Sequence, residues 1–181
     1  MMKYSATFLL AGISACLLGC SIPSATSTSP DAIAQLPMVQ ESRAQNLPIL
    51  AEATIKGELF ELEVPQTPEE QALGLMYRPA LPDNRGMLFP FHPPRVVGFW
   101  MKNVPVPLDM VFIREETVVE IADSVPPCTS EPCAVYGPSV PVDRVLELRA
   151  GRAAELGLQV GDRISVRFRN TEADGLRNVK K

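Results

Sequence analysis

Proline punctuation constrains this chain more than any other feature. Eighteen of its 181 residues are proline, gathered in turns and near the N-terminus, and a proline neither donates to a strand ladder nor continues a helix. What lies between the breaks must be short, and most of it alternates. In "ILAEATIKGELFELEV", Leu50, Glu52 and Thr54 alternate with Ala51, Ala53 and Ile55, Lys56-Gly57 makes the turn, and Phe60, Leu62 and Val64 share a face beyond it. That pattern predicts a hairpin. "TPEEQALGLMYRP" predicts a short helix, with Thr67 as N-cap, Pro68 in the first helical position and Glu70 closing a capping box. Ala72, Leu75 and Met76 then fall on one helical face, and Pro79 forces the exit at Arg78.

Strands follow in "GMLFPF", "VVGFWMK", "LDMVFIR", "TVVEIA", "RVLELRAG" and "ISVRF", with a turn at Glu115-Glu116. "RAAELGL" is a turn or two of helix that Gly157 closes in a left-handed conformation. About eight short strands and two short helices make an α+β, β-rich fold with a mostly antiparallel, bent or barrel-like sheet.

The N-terminus reads as an export signal. A single Lys3 precedes an apolar run from Phe8 to Leu18, too short to span a bilayer. "LLGC" fits a bacterial lipoprotein cleavage site with Cys20 as the lipid acceptor, and more than one acyl chain anchors stably. The expected organisation is a signal peptide over 1–19, lipidated Cys20 and a disordered Ser/Thr/Pro tether over 20–47, one globular domain over 48–170 and a disordered tail over 171–181. The expected place is the extracytoplasmic side of a bacterial membrane.

Of four cysteines, Cys16 leaves with the signal and Cys20 is acylated. Cys128 and Cys133 remain in "PPCTSEPCAVY", and an oxidising compartment favours a disulfide between them. A redox-active pair is the alternative, but such pairs have two residues between the cysteines and sit at a helix start. Here there are four, in a proline-stiffened loop.

The net charge of −4 argues against a nucleic-acid surface. The single histidine, His92, lies among prolines and reads as an exposed loop residue. Neither a phosphate-binding loop nor a dinucleotide fingerprint occurs, and no cofactor or metal is called for. Met76, Met87, Met101 and Met110 read as core filling. Asp109 and Glu147 both sit in apolar strands, where burial raises a carboxyl's pKa. They are the pair an envelope glycan hydrolase would use. The bland alternative is that "VLELRAG" is a half-exposed strand with Val145, Glu147 and Arg149 on one face.

"FWMKNVPVPLDMVFI" places polar groups inside core-like sequence. As a binding site, Trp100 is a stacking floor while Lys102 and Arg78 draw in a small anionic or glycan ligand, with Asn103 and Asp109 beside them. As scaffold, Asp109 accepts N–H groups of the Pro105–Pro107 turn and Asn103 satisfies a carbonyl there. Asp109 shares a face with Val111 and Ile113.

"GLMYRPALPDNRGMLFPF", "FWMKNVPVPLDMVFI", the two cysteines and "VLELRAG…GLQVGD" together resemble the domain of unknown function 192 family of bacteria and archaea, small domains that are exported or membrane-tethered. The resemblance runs from about Ala53 to Val166 and implies a compact β-rich domain with no assigned activity. Family motif positions correspond to Gly74, Met76, Arg78, Gly86, Met87, Phe89, Phe99, Trp100, Met101, Asn103, Leu108, Asp109, Glu147 and Gly151. The functional expectation is a lipid-anchored ligand-binding or accessory module without catalysis. The alternatives are the hydrolase and an assembly partner in a membrane complex.

Overall fold

The computed structural model describes residues 43–169. Over those residues nine strands and two short helices follow one another: β1 (Ile49–Ile55), β2 (Glu58–Glu63), α1 (Pro68–Leu73), β3 (Arg85–Arg95), β4 (Phe99–Trp100), β5 (Leu108–Arg114), β6 (Thr117–Val125), β7 (Val135–Tyr136), β8 (Val142–Arg149), α2 (Arg152–Glu155) and β9 (Ser165–Phe168). Seven strands form one sheet in the order β6-β5-β8-β3-β2-β1-β9, and β4 pairs with β7 as a separate ribbon. Every pairing is antiparallel except β2 with β3. Parallel neighbours need a crossover, and α1 lies within it. The sheet does not close into a barrel. Instead the segment before β9 reaches the opposite edge, where Thr117 bridges Arg163 and the Ile164 N–H donates to the Glu116 carbonyl at 2.8 Å. The expected signal peptide, Cys20 and most of the tether lie outside the described residues. Gln45 and Leu47, on the tether side of the expected boundary, are hydrogen-bonded into the domain.

The local chemistry explains the local elements. Lys56 and Gly57 take left-handed conformations (φ 50° and 90°), which a tight hairpin turn requires. The Glu115-Glu116 turn does the same at φ 51° and 67°. Thr67 accepts the Glu70 N–H at 3.1 Å and Glu70 returns to the Thr67 N–H at 3.2 Å, so the capping box is complete. Gly157 is left-handed at φ 65° and ends α2.

Three expectations need correction. α1 stops at Leu73, well before Pro79, because Gly74 turns the chain at φ 47°, ψ −129°. Ala72 is exposed as a result, while Leu75 drops into the core. "VVGFWMK" is strand only at Phe99–Trp100, since a turn begins at Met101, whose carbonyl takes the Val104 N–H. Finally, β8 is buried on both faces rather than half-exposed. It sits between β5 and β3 with an apolar cluster on each side. Leu88, Val111, Ile113, Leu146 and Leu148 fill the first face, and Met87, Phe89, Met110, Phe112 and Val145 the second.

Candidate functional site: a pocket over Glu147

Glu147 pairs in register with Met87 of β3 and Met110 of β5, which puts its side chain on the second face of the sheet. β3 comes this close because Gly86 has no side chain: a Cβ there would stand 2.8 Å from the Glu147 carbonyl oxygen. Above Glu147 the second layer is incomplete. The turn after α1 contributes Gly74, Leu75 and Met76, β3 contributes Phe89, the ribbon contributes Phe99 and Trp100, and the following turn contributes Val104. Between them is a pocket of about 240 Å³ with Glu147 in its lining. Phe99 is held edge-on to Phe89 and Phe112, at ring separations of 5.0 and 6.2 Å. An open groove of about 320 Å³ shares Gln71, Phe89 and Phe99 with it and runs toward Arg95.

Glu147 is only 5% exposed, has no hydrogen-bond partner among the described residues, and is the one titratable residue in the pocket lining. Burial therefore pushes its carboxyl up to about 8, so the group is mostly protonated at neutral pH. Among the described residues the fully buried side-chain atoms without a partner are Asp143 Oδ1 and Arg144 Nη1, whereas the Glu147 carboxyl opens onto the pocket.

Asp109 is the opposite case. It is 0% exposed, and its oxygens accept the Ser124, Gly151 and Ala153 N–H groups at 2.8, 2.9 and 2.8 Å. It stitches β6 and the start of α2 to β5 and takes no hydrogen bond from the proline turn. Because Asp109 pairs with Leu148 and Glu147 with Met110, the two carboxyls point to opposite faces of the sheet. They do not form a catalytic pair.

The remaining sequence-predicted residues scatter. Arg78 is buried and forks onto Glu63, Nη1 to Oε1 at 2.7 Å and Nη2 to Oε2 at 2.5 Å, while its Nε reaches the Gln45 carbonyl at 3.0 Å. It faces a different hollow, lined also by Glu63, Leu81 and Arg85. Lys102 Nζ lies 2.6 Å from Glu131 in the disulfide loop and 5.5 Å from the Trp100 ring centre. Asn103 is left-handed at φ 57°. Its carbonyl accepts the Tyr77 N–H at 2.8 Å, and its Nδ2 lies 3.8 Å from the Met76 sulfur. Of the residues singled out as ligand contacts, only Trp100, 48% exposed, lines the pocket. Cys128 and Cys133 are disulfide-bonded. His92 is exposed, at the outer end of β3. Met87, Met101 and Met110 are buried in the second core cluster, as expected.

Residues 51–166 match the family profile of domain of unknown function 192, described as "Uncharacterized ACR". The chain belongs to this family. Two solved structures are similar to this member of it. One, a protein of unknown function from Novosphingobium aromaticivorans, is 35% identical with a TM-score of 0.57, over 64% of this chain and 83% of that one. The other comes from Sinorhizobium meliloti and carries the provisional name of a transcription regulator. It is 36% identical with a TM-score of 0.59, over 67% of this chain and 98% of that one. No curated protein matches.

Gly74, Met76, Phe89, Phe99, Trp100 and Glu147 line the pocket, and all six stand among the motif positions that the resemblance to domain of unknown function 192 marks out. The motif pieces from three distant parts of the chain meet here. That convergence is the signal that reading each stretch alone missed.

Proposed function

We propose that this chain is a lipid-anchored module on the extracytoplasmic side of a bacterial membrane that binds a small ligand in the Glu147 pocket and performs no catalysis of its own. The observation that carries the reading is Glu147, a buried carboxyl with no hydrogen-bond partner among the described residues, at a pocket that Phe89, Phe99 and Trp100 help to line. A pocket with few polar groups and a perturbed acid is the usual form of a binding site. The membrane location rests on the sequence around Cys20 and agrees with the Cys128–Cys133 disulfide, which an oxidising compartment preserves. A net charge of −4 gives no electrostatic footprint for DNA, which argues against a regulator role like the one in the name of the Sinorhizobium relative.

Native mass spectrometry of the full chain, extracted gently from membranes, tests the binding reading. A discrete added mass that disappears in Glu147→Gln is expected, and a bare polypeptide mass counts against the site. Fatty-acid labelling tests the anchor. The label is expected on the wild-type chain and absent from Cys20→Ser, and labelling that persists in the variant refutes the anchor.

A further inference from the structure

We propose that the Glu147 pocket takes a small organic ammonium ion, its charge set against the Glu147 carboxylate and its carbon substituents against Phe89, Phe99 and Trp100. This rests on the reading of the pocket as a ligand site and adds the class of ligand. The lining holds one ionisable group, an acid, and no cation to neutralise it. Phe89, Phe99 and Trp100 add three aromatic rings to the lining, and aromatic faces attract cations while offering an anion nothing. An ammonium already lies against one of these rings, since Lys102 Nζ is 5.5 Å from the Trp100 ring centre. Its charge is met by Glu131 at 2.6 Å, so the rim is not left positive. At about 30 Å³ per water molecule, 240 Å³ holds roughly eight waters, enough for a trimethylammonium group with a short arm.

Binding releases one proton. Burial keeps Glu147 mostly protonated at neutral pH. An entering cation stabilises the carboxylate, and the proton leaves to solvent. Among the described residues no charged side chain pairs with Glu147. Glu70 of α1 is turned onto the Gln66 and Thr67 N–H groups, and Arg95 of β3 lies over the Phe91 ring. Lys102, after β4, pairs with Glu131, and the β3 and β5 neighbours in register are methionines.

Trp100 is the only tryptophan, so intrinsic fluorescence reads occupancy of this pocket directly. The full chain in non-ionic detergent is titrated with choline, with its uncharged isostere (the alcohol carrying tert-butyl in place of trimethylammonium) and with butyrate, from about pH 6 to pH 9. Calorimetry in buffers of different ionisation enthalpy counts the protons. Choline is expected to bind about tenfold more weakly at pH 6 than at pH 7 and to level off above pH 8, releasing close to one proton at pH 7. Glu147→Gln should abolish the choline response while leaving that of the alcohol. Phe99→Leu, which keeps the pocket apolar but removes a ring, should weaken choline more than the alcohol. Equal binding of alcohol and choline without pH dependence overturns the ammonium assignment, as does a saturable response to butyrate alone or none to choline. If the native spectrum still shows a mass lost in Glu147→Gln, the ligand site survives and only its class is wrong. If that mass is missing as well, both readings fall.

Discussion

Two acids one sheet apart show how completely a side chain's surroundings decide its role. Asp109 meets three backbone N–H groups, while among the described residues Glu147 meets none. Removing Asp109 leaves those donors, one buried and two partly buried, without their acceptor. Asp109→Ala is expected to cost roughly 1–3 kcal/mol in urea unfolding, and unchanged stability would show that water replaces the carboxylate. Glu147 predicts a pH effect of definite sign. Its pKa rises from the ordinary 4.5 of a solvated glutamate to about 8 in the fold, so between those values the folded state holds a proton that the unfolded state has lost. Stability from this group is complete below pH 4.5 and declines as pH rises toward 8. The slope should be about 1.4 kcal/mol per pH unit, and unfolding series at several pH values should show it vanish in Glu147→Gln. A wild-type slope that survives the substitution would assign the effect to other groups.

At the scale of elements, the crossover from β2 to β3 depends on two side-chain devices. The Thr67–Glu70 capping box starts α1, and Gly74 ends it six residues after the first helical position, so α1 buries no residue of its own. Arg78 then returns the chain to the domain through its buried fork onto Glu63, whose Oε2 also accepts the Leu47 N–H at 2.8 Å. Arg78→Ala strands a buried carboxylate and is expected to cost about 3–5 kcal/mol. The double variant Arg78→Met, Glu63→Leu should recover most of that. Thermal or urea unfolding of the pair separates the two outcomes, and a double variant as unstable as the single one would mean that the lead-in segment needs the charges themselves. The two tight hairpins and the capping box were legible beforehand because each is closed by partners only a few residues apart. The end of α1 was not. Leu75 and Met76 keep helical spacing, but the Tyr77 N–H is held by Asn103, far along the chain.

On the whole-molecule scale the β4–β7 ribbon is the part of the pocket least tied to the main sheet. It carries Phe99 and Trp100, and the Cys128–Cys133 loop reaches it through Glu131 and Lys102. Reduction of the disulfide should lower stability by about 2 kcal/mol, the entropy of a short closed loop. It should also shift Trp100 fluorescence, because the loop that holds Lys102 over the ring is released. Equal spectra before and after reduction would show the ribbon to be held by the packing of Phe99 on Phe89, Phe91 and Phe112. The rest of the domain gains stiffness from a sheet packed on both faces, and the segment before β9 ties the two edges together at Thr117 and Arg163.

Sequence alone determined what short-range physics controls: the proline-limited strands, the turns at Lys56-Gly57 and Glu115-Glu116, the capping box, the close of α2 at Gly157, the cysteine pair and the family. Tertiary structure decided everything that depends on partners far apart in the chain. Asp109 finds its donors at sequence separations of 15, 42 and 44 residues. Lys102 spends its charge on Glu131. Glu147 looked like the polar face of a half-exposed strand because alternation cannot tell a solvent-facing position from one beneath a second layer. Only the placement of β8 between β5 and β3, with α1's turn and the ribbon lying above it, made that carboxyl a buried acid with no partner among the described residues.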